Sequence, residues 1–240
     1  MAAQSRPAIL ITRPAEGGAR FARALRRRLG PGLRIISAPL MAPRWRDADL
    51  PSGAAALIFT SEAGVAGLAR LTGDRTLPAF CVGAHTAAVA RRAGFSAYVA
   101  GRDAAELLGT LRATERGPFL VVRGQDAAAD IAAAFREAGR EASEAIVYAQ
   151  EPRPLPPRAL RLLAGAGAVV LPVFSARSGA LLAEAARGAH ARLMIAAISP
   201  AAARPLDLLR PARTLCAETP TAAGVLDAVA MLVGAGDKTP

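Results

Sequence analysis

The sequence is poor in aromatic residues, in lysine and in cysteine. Phe, Trp and Tyr make up 4% of the 240 residues, so a core has to be built from aliphatic side chains. Nucleic-acid-binding modules normally carry a recognisable motif or aromatics interleaved with basic residues, and neither is present. The two cysteines, Cys81 and Cys216, both lie in apolar runs. We expect two buried thiols in a reducing compartment rather than a disulfide.

Metal ligands and membrane-spanning stretches are also missing. His85 and His190 lie far apart, with no cysteine or further histidine at ligand spacing, so we expect no metal site. No apolar segment is long and uncharged enough to cross a bilayer. Arg6 and Pro7 lead straight into a short strand, where a signal peptide would have an apolar stretch. These absences predict a soluble, cytoplasmic protein.

The charge of the chain is strongly positive. There are 30 basic and 19 acidic residues, which gives a formal net charge of +11, and Lys238 is the only lysine. Such a surface favours polyanions, whether nucleic acid, an anionic membrane or an acidic metabolite. A genome rich in G and C, which encodes surface cations as arginine, explains the same excess without any partner. One predicted helix is expected to present a solvated arginine face, formed by Arg23, Arg26, Arg27 and Arg28.

The stretch LIFTSEAGV, Leu57 to Val65, combines a short apolar run with a hydroxyl pair and the start of a helical pattern. It predicts a buried parallel strand that leads into a helix, with Ser61 or Thr60 as the N-cap. The first amides of such a helix have no partner within it, and the helix dipole adds positive potential there, so an anion can bind. A second copy, VVLPVFSARSG, has Ser175 in the place of Ser61.

The two copies belong to a longer internal repeat. Strand and helix patterns alternate throughout the chain, which indicates a parallel α/β architecture. Matching positions recur in the same order at offsets of 110 to 117 residues: Arg13 and Arg123, Ser61 and Ser175, Gly83 and Ser199, Ala100 and Ala217. The sequence therefore predicts two similar α/β units of about five strands each. It leaves open which of the two units the first strand, Ala8 to Thr12, joins.

Proline marks the irregular parts of the pattern. The composition shifts to Pro, Arg and Asp from Pro39 to Gly53, which predicts a linker or the entry to a domain, and Pro152 to Pro157 breaks the alternation again. Pro172 interrupts the strand before Ser175, which predicts an edge strand or a bulge there.

Polar residues interrupt the apolar pattern at the predicted carboxyl ends of strands, which is the edge where open parallel sheets bind ligands. Each one alone is better explained as a helix cap. Together they predict edges rich in hydroxyls and amides that suit a ligand with many carboxylates, because hydrogen bonds to charged oxygens contribute about 1.5–3 kcal/mol each. These residues are Arg13, Thr60, Ser61, His85, Thr86, Arg123, Gly124, Ser175, Ser178, Ser199, Thr219 and Thr221.

Signatures of several common enzyme classes are absent. There is no Walker sequence, and no G-x-G-x-x-G follows the first strand, so a Gly-rich phosphate site is not indicated. Nothing resembles a nucleophile elbow or a Ser-His-Asp set, because neither histidine has an acid partner in its sequence context. What remains is an α/β protein with hydroxyl-rich strand ends.

A set of motifs occurs in a fixed order along the chain: LITRP, LIFTSEAGV, FCVGAHTAAVARRAG, LVVRGQ, AIVYAQ, VFSARS, AISPAAA and AETPTAAGVL. Together, from Ala8 to Leu232, they resemble the uroporphyrinogen-III synthase family. The resemblance implies an α/β protein of two similar three-layer, flavodoxin-like domains with parallel sheets, joined by a two-segment linker. Residues 1–37 and 152–240 would form the first domain and residues 38–151 the inserted second one, with crossings near Ile36 to Leu40 and Ile146 to Glu151.

The resemblance also implies an activity. Uroporphyrinogen-III synthases are lyases that cyclise the linear tetrapyrrole hydroxymethylbilane to uroporphyrinogen III, with loss of water and inversion of the last pyrrole ring through a spiro intermediate. They need no cofactor and serve the biosynthesis of haem, sirohaem, cobalamin and chlorophyll. Their substrate carries many carboxylates, which suits cationic, amide-lined edges. Because the pyrroles drive most of the chemistry, such an enzyme first has to hold the flexible chain folded and second to protonate the leaving hydroxyl.

Site residues follow from the same resemblance. Tyr148 in AIVYAQ matches the family tyrosine suggested as proton donor. The family positions that line the cleft and bind substrate match Thr60, Ser61, Thr86, Ser175, Ser199 and Thr221. The strand-end residues Arg13, Arg123 and Gly124 complete the expected substrate-binding set, and no metal ligand is expected. The residues after Ser61 depart from the small, Asn-containing turn common in the family; they are Glu62, Ala63 and Gly64.

Two other interpretations stay open. One is a non-catalytic two-domain module, such as a degenerate family member, that closes on a small polycarboxylate ligand; ligand-dependent stabilisation without turnover would identify it. The other is a nucleic-acid partner for the basic surface, which salt-sensitive binding would reveal. Our main expectation is an enzyme that acts on a small molecule and has no nucleic-acid or membrane partner. No long apolar helix face calls for a second subunit, so we expect a monomer.

Overall fold

The computed structural model describes residues 6–114, 117–126 and 130–235. Strands and helices alternate along these residues, as the sequence pattern predicts. In chain order the elements are β1 (Ala8–Ile11), α1 (Ala15–Leu29), β2 (Ile35–Ser37), β3 (Met41–Trp45), β4 (Ala56–Phe59), α2 (Glu62–Leu71), β5 (Ala79–Val82), α3 (Ala84–Arg92), β6 (Ala97–Gly101), α4 (Ala104–Thr114), β7 (Phe119–Gly124), α5 (Ile131–Glu137), β8 (Ala142–Pro152), α6 (Pro157–Ala164), β9 (Ala168–Val173), α7 (Ala176–Ala185), β10 (Arg192–Ala197), α8 (Pro200–Ala203), a 3-10 helix (Arg204–Leu209), β11 (Arg213–Cys216) and α9 (Ala222–Ala235).

Tertiary contacts divide the chain into two compact units. Unit 1 comprises Met1–Ala42 and Pro152–Pro240, and unit 2 comprises Pro43–Glu151. Each unit has its own sheet with apolar layers on both faces, because its strands are buried on both sides and need helices to cover them. The predicted α/β class with parallel sheets is confirmed.

The sheet of unit 1 has five strands in the order β2-β1-β9-β10-β11. Every neighbouring pair is parallel, from Ile9 opposite Ile35 at one side to Ala197 opposite Cys216 at the other. One face is covered by α6, α7 and α8, and the other by α1 and α9, with aliphatic side chains filling both layers. This is the strand order of a flavodoxin-like sheet, in which ligands bind outside the carboxyl ends of the strands.

The sheet of unit 2 has six strands in the order β3-β8-β7-β4-β5-β6. The strands from β8 to β6 are parallel, with α2 and α3 on one face and α4 and α5 on the other. Apart from β3, this order repeats that of unit 1. Its central strand β4 and the central strand β9 of unit 1 are each followed by a serine that starts a helix. The predicted internal repeat is therefore confirmed.

The repeat also shows where the first strand belongs. β1 and β2 of unit 1 take the places that β7 and β8 take in unit 2. Although β1 comes first in the chain, Ala8 lies opposite Val169 of β9. The first strand thus joins the C-terminal half, a question that the repeat alone leaves open in the sequence.

The segment predicted as an irregular linker, Pro39 to Gly53, contains the edge strand β3. β3 lies beside β8, and the amide of Arg46 just after it donates to the carbonyl of Val147 at 3.0 Å. Pro43 is tolerated there because an edge strand has one side that needs no backbone donor. The linker alternative is wrong for β3, because proline indicates a break in a central strand but not in an edge strand. The domain-entry alternative agrees with the division of the chain between Ala42 and Pro43.

The expectation of an edge strand or a bulge at Pro172 is also wrong. Its strand, β9, lies in the middle of the sheet and has a continuous register with β10. The amide of Ile198 donates to the carbonyl of Val173, so the backbone N–H and C=O of Val173 point towards β10. The backbone groups of the preceding residue, Pro172, therefore point towards β1 on the other side. The pairing of β9 with β1 ends at Val170, opposite Ile9. The missing N–H of Pro172 therefore falls beyond the end of that ladder.

The sequence pattern also predicts a helix over Asp126 to Ala138, but the helix of the structure begins later. α5 starts at Ile131, and residues 127–129 of the prediction lie outside the described residues. The carboxylate of Asp130 caps the helix by accepting a hydrogen bond from the amide of Ala133 at 2.8 Å. The same bond holds the pKa of Asp130 below its ordinary value.

The two cysteines differ in exposure. Cys81 is buried in β5, and burial raises the pKa of its thiol from 9.0 to about 11. Cys216 is exposed at the end of β11, so the prediction of two buried thiols is wrong for it. The apolar run around Cys216 is misleading because β11 is the edge strand of its sheet, and most of its residues remain exposed.

The arginine-rich helix is α1, and its solvated face is confirmed. Its last turn is basic and its first turn carries Glu16, an arrangement that complements the helix dipole. The exposed arginines of this face are Arg23, Arg26, Arg27 and Arg28.

In the part of the chain that the structure describes, no helix combines the length and the apolar character that a membrane span requires.

Candidate functional site

In unit 2, Ser61 marks the point where β4 ends and α2 begins. Its backbone is extended (φ −154°, ψ 154°), and its hydroxyl oxygen accepts a hydrogen bond from the amide of Gly64 at 3.0 Å. Of the two predicted candidates, Ser61 is therefore the N-cap, while Thr60 lies half-buried just before it. A Cβ at Gly64 would lie 3.0 Å from the carbonyl oxygen of Val122, so glycine lets α2 lie close against β7.

The hydroxyl of Ser61 also meets the side chain of Tyr148. Ser61 Oγ and the phenolic oxygen of Tyr148 lie 3.1 Å apart, and either group can be the donor. Both residues are half-buried, at the edge of the sheet where β4 ends. The structure thus brings the residue predicted to be catalytic into direct contact with one predicted to bind substrate, at the edge where parallel sheets bind ligands.

A register shift places Tyr148 in this position. Arg123 of β7 lies opposite Ile146, but the next residue, Gly124, lies opposite Tyr148, so β8 has one extra residue here. Such a bulge changes the direction of the side chains around it and is common beside functional sites. The amide of Gln125 donates to the carbonyl of Tyr148 at 2.9 Å and resumes the ladder after the bulge.

Gly124 leaves room for the ring of Tyr148. A Cβ at Gly124 would lie 2.5 Å from Cζ of that ring and 2.9 Å from its hydroxyl oxygen. Atoms do not approach so closely in a packed protein, so any larger residue at this position has to displace the ring. Gly124 was expected to be a substrate-binding residue, and the structure shows in addition that its missing side chain makes room for the Tyr148 ring.

Trp45 is a neighbour of Tyr148 that the sequence analysis missed. The two rings meet edge to face, with centroids 6.5 Å apart and an interplanar angle of 69°. The guanidinium of Arg70 lies over the Trp45 ring, 5.5 Å from its centroid. The available signal was the presence of the chain's only tryptophan in a segment otherwise predicted to be a linker.

Arg123, expected to bind substrate, is bound by the protein itself. Its Nη1 donates to the carbonyls of Gly124 at 3.0 Å and Gln125 at 3.2 Å, and its Nη2 donates to the carboxylate of Glu144 at 2.7 Å. The side chains of Arg123 and Glu144 are only 16% and 21% exposed. Nε of Arg123 and Oε1 of Glu144 are buried and have no hydrogen-bond partner among the described residues.

The start of α3 adds two polar residues to unit 2. Gly83 precedes the helix with φ 78°, a conformation that favours glycine, and Thr86 is buried in the first turn. Nε2 of His85 lies 3.3 Å from the carboxylate of Glu62 on α2. The sequence context of His85 offers no acid partner, but the fold provides one from the neighbouring helix.

In unit 1, Ser175 repeats the role of Ser61. Its hydroxyl accepts from the amide of Ser178, and the Ser178 hydroxyl accepts from the amide of Ser175, both at 3.1 Å, which makes a capping box at the start of α7. Ser175 is exposed and Ser178 is buried. A Cβ at Gly179 would collide with the carbonyl oxygen of Ala202, so glycine is needed where α7 packs against α8.

The next two strands of unit 1 lead into similar caps. Ser199 follows β10, and its hydroxyl accepts from the amide of Ala202 at 3.4 Å. Thr221 follows β11, and its hydroxyl accepts from the amide of Gly224 at 3.1 Å. The hydroxyl of Thr219 lies 3.3 Å from that of Thr221. The expectation that these hydroxyls individually serve as helix caps is confirmed.

Arg13 follows β1 and stacks on an aromatic ring of unit 1. Its guanidinium carbon lies 3.9 Å from the centroid of Phe174, the residue before the Ser175 cap. Phe21 of α1 packs edge-on against the same ring, with centroids 5.0 Å apart. Such a cation–π contact contributes about 0.5–1 kcal/mol at an exposed site. It holds a positive charge beside the start of α7.

The predicted site residues therefore fall into two groups. In unit 2, Tyr148 contacts both Ser61 and Gly124, and Arg123 binds the carbonyl of Gln125 directly after β7. Thr60 and Thr86 lie in the same unit. Within residues 6–114, 117–126 and 130–235, no three His, Cys, Asp or Glu side chains form a group that could hold a metal ion. The members in unit 1 are Arg13, Ser175, Ser199 and Thr221.

Comparison with known families identifies a match over most of the chain. A family model described as uroporphyrinogen-III synthase HemD matches residues 20–227. A search of curated protein sequences found no match. The matched segment includes Ser61, Tyr148 and Ser175.

Comparison with solved structures gives the same fold. The uroporphyrinogen-III synthetase of Helicobacter pylori 26695 is similar with a TM-score of 0.65 and 17% identity, over 94% of this chain and 99% of that one. A mutant uroporphyrinogen III synthase of the extremely thermophilic bacterium Thermus thermophilus has a TM-score of 0.47 and 17% identity, over 95% and 99%. The first of these likenesses supports the α/β fold described above.

Proposed function

Because the chain belongs to the uroporphyrinogen-III synthase family, we propose that it cyclises hydroxymethylbilane to uroporphyrinogen III. In this reaction the terminal hydroxyl takes up a proton and leaves as water, and the last pyrrole ring inverts through a spiro intermediate. A new carbon–carbon bond closes the macrocycle, and a pyrrole carbon releases the balancing proton. The family match over residues 20–227 is the observation that carries the proposal.

Tyr148 is the proton donor of this proposal. A donor has to lie within hydrogen-bond reach of the leaving oxygen, and its position has to be fixed before the substrate reacts. The 3.1 Å contact with Ser61 fixes the phenol at the strand-end edge of unit 2. Ser61 Oγ already accepts from the amide of Gly64, so its own hydrogen is available to the phenolic oxygen when Tyr148 gives up its proton.

The substrate carboxylates are bound, in this proposal, by hydroxyls and first-turn amides rather than by a cluster of cations. The start of each helix carries partial positive charge next to the capping hydroxyl. This charge favours the binding of an anionic oxygen there. The stacked guanidinium of Arg13 adds a full charge beside one such start. The proposed binding residues are Arg13, Thr60, Ser61, Thr86, Gly124, Ser175, Ser199 and Thr221.

The chain would act as a lyase on a small-molecule tetrapyrrole, as a monomer and without a cofactor. Its formal charge of +11 supports a polyanionic substrate, because a positive surface raises the encounter rate with an acidic ligand. The same charge predicts that turnover at low substrate concentration falls as salt is added, since screening shortens the reach of surface charges.

Isomer analysis of the product tests the proposal. Hydroxymethylbilane, produced in the same vessel from porphobilinogen by its deaminase, is incubated with the purified chain, and the products are oxidised to porphyrins and separated. The III isomer is expected to dominate. Hydroxymethylbilane without the chain closes without ring inversion and is the control. Formation of the I isomer alone, with ligand-dependent stabilisation of the fold, would instead identify a binding module without catalysis.

A further inference from the structure

Arg123 binds the segment that determines where Tyr148 lies. Its Nη1 donates to two successive carbonyl oxygens, those of Gly124 and Gln125. The register of β7 and β8 changes between Arg123 and Gly124, so both carbonyls lie directly after the change. One guanidinium thus holds the first two residues of the chain after the change.

Both residues held by Arg123 contact Tyr148 in turn. Gly124 lies opposite Tyr148 in the sheet and provides the space for its ring. The amide of Gln125 donates to the Tyr148 carbonyl at 2.9 Å. The phenolic oxygen then lies 3.1 Å from Ser61 Oγ. The contacts form a continuous path from the guanidinium to the proposed proton donor.

Both terminal nitrogens of the guanidinium already donate to acceptors of the protein, and Nε, which has no partner among the described residues, is buried. Nη2 is paired with Glu144 at 2.7 Å, so a carboxylate of the protein already compensates its charge. Glu144 lies on β8, the same strand as Tyr148, so the ion pair also joins β7 to β8. Because both side chains are largely buried, loss of either one would leave an uncompensated charge in the sheet.

We propose that Arg123 is a positioning residue, which acts through Gly124 and Gln125 to hold the Tyr148 hydroxyl against Ser61. This replaces the sequence-based expectation that Arg123 binds substrate carboxylates directly. The catalytic consequence rests on the proposed function, because Tyr148 matters for turnover only if the chain is a cyclase. The structural consequence, a displaced Tyr148 ring, does not depend on the reaction.

The test compares Arg123→Met with Arg136→Met. Arg136 is a matched control, because its Nη1 donates to the carbonyl of Ala142 at 3.0 Å, at the opposite end of the same strand β8. Both variants are made in a Tyr98→Phe background, which leaves Tyr148 and Trp45 as the only tyrosine and tryptophan. Near-ultraviolet circular dichroism then reports on this ring pair, and steady-state kinetics with hydroxymethylbilane separate kcat from KM.

Arg123→Met is expected to lower kcat about tenfold or more with KM changed less than about twofold, because misplacing a reacting group costs rate rather than substrate affinity. Its near-ultraviolet spectrum is expected to lose the Trp45–Tyr148 signal. Arg136→Met should keep both kcat and the spectrum. Arg123→Lys, which keeps the charge but not the planar fork, should resemble Arg123→Met more than the parent protein.

Three results would overturn the proposal. A raised KM with unchanged kcat and spectrum in Arg123→Met would make Arg123 a substrate ligand. Equal losses in the Arg123 and Arg136 variants would reduce its role to general stability, and full rescue by Arg123→Lys would show that only the charge matters.

If Arg123→Met does not fold, the same comparisons are decided on Arg123→Lys. If the parent protein makes no III isomer, the proposed function fails, while the spectra still decide whether Arg123 positions Tyr148.

Discussion

The hydroxyl oxygens of Ser61 and Tyr148 lie 3.1 Å apart, although 87 positions separate the two residues in the chain. Ser61 starts a helix, and Tyr148 lies in the bulged part of a strand. The same serine oxygen accepts from the amide of Gly64 and contacts the phenol, so one side chain serves both helix capping and the proposed proton donor. Variants at these positions can separate the two roles.

Replacing Tyr148 by Phe removes the hydroxyl and keeps the ring beside Trp45. We expect kcat for uroporphyrinogen III formation to fall about 100-fold, the size typical of a lost general acid. The free energy of unfolding should fall by only about 1 kcal/mol, because one half-buried hydrogen bond is lost. Initial rates and urea denaturation measure both quantities. Tyr98→Phe, at an exposed tyrosine on β6, is the control, and an unchanged kcat in Tyr148→Phe would exclude a role in proton donation.

Ser61→Ala and Ser175→Ala each remove a helix cap from equivalent positions of the repeat. Both should lower the free energy of unfolding by about 1 kcal/mol, the usual cost of losing a capping hydroxyl. Their kinetic effects should differ: Ser61→Ala lowers kcat because Ser61 contacts Tyr148, whereas Ser175→Ala raises KM. Denaturant titrations and rate measurements on the two variants make the comparison. If the two variants changed kcat and KM in the same way, the proposal that Tyr148 acts as proton donor beside Ser61 would be contradicted.

Gly124→Ala places a methyl group where the Tyr148 ring lies. Because the new Cβ would start 2.5 Å from Cζ of Tyr148, the ring has to move, and we expect a loss of about 1–3 kcal/mol of stability together with a lower kcat. Thermal and denaturant unfolding provide the first quantity. Gly109→Ala is the matched control, since Gly109 lies exposed on α4 and an added Cβ would meet nothing within 4 Å, and alanine there should stabilise the helix by about 0.5–1 kcal/mol. If Gly124→Ala left the stability and kcat unchanged, the Tyr148 ring would be able to move aside without cost, which would contradict the prediction.

The two thiols should react at very different rates. Cys216 is exposed and should be modified by a thiol reagent in the folded protein, whereas Cys81 is buried and should react only on unfolding. Burial raises the pKa of Cys81 to about 11, above its ordinary 9.0, so its contribution to stability is complete below pH 9 and is lost as the pH rises through 11. Mass spectrometry after timed labelling checks the order, and labelling of Cys81 before unfolding would contradict the buried position.

The sequence was sufficient to predict the elements whose signals are local. Apolar runs followed by a hydroxyl predicted β4 with the Ser61 cap and β9 with the Ser175 cap, and the spacing of the copies predicted the repeat. The failures concern features that depend on a strand's neighbours. Pro172 is accommodated because the β1 ladder ends before it, and Cys216 is exposed because β11 has a partner on one side only. Neither fact is encoded in a short window of sequence.

The same distinction holds for the site. A cap is a contact over three residues, so Ser61 could be predicted. The register shift at Gly124, the His85–Glu62 pair and the packing of Trp45 all join segments far apart in the chain. Tyr148 was assigned by resemblance, and its contact with Ser61 could not be derived from the residues alone. Arg123 illustrates the limit most clearly, since its partners, not its residue type, determine its role.

The shared strand order has a consequence for synthesis on the ribosome. The strands β4 to β8 of unit 2 leave the ribosome without interruption, so this sheet can form as soon as they have emerged. The strands β1 and β2 emerge earliest, yet β9, the neighbour that joins them to the rest of their sheet, is made only after unit 2. β1 and β2, which are translated before unit 2, therefore wait for β9 until unit 2 has been made, and a nascent chain stalled before Ala168 should protect β4 from proteolysis but not β1.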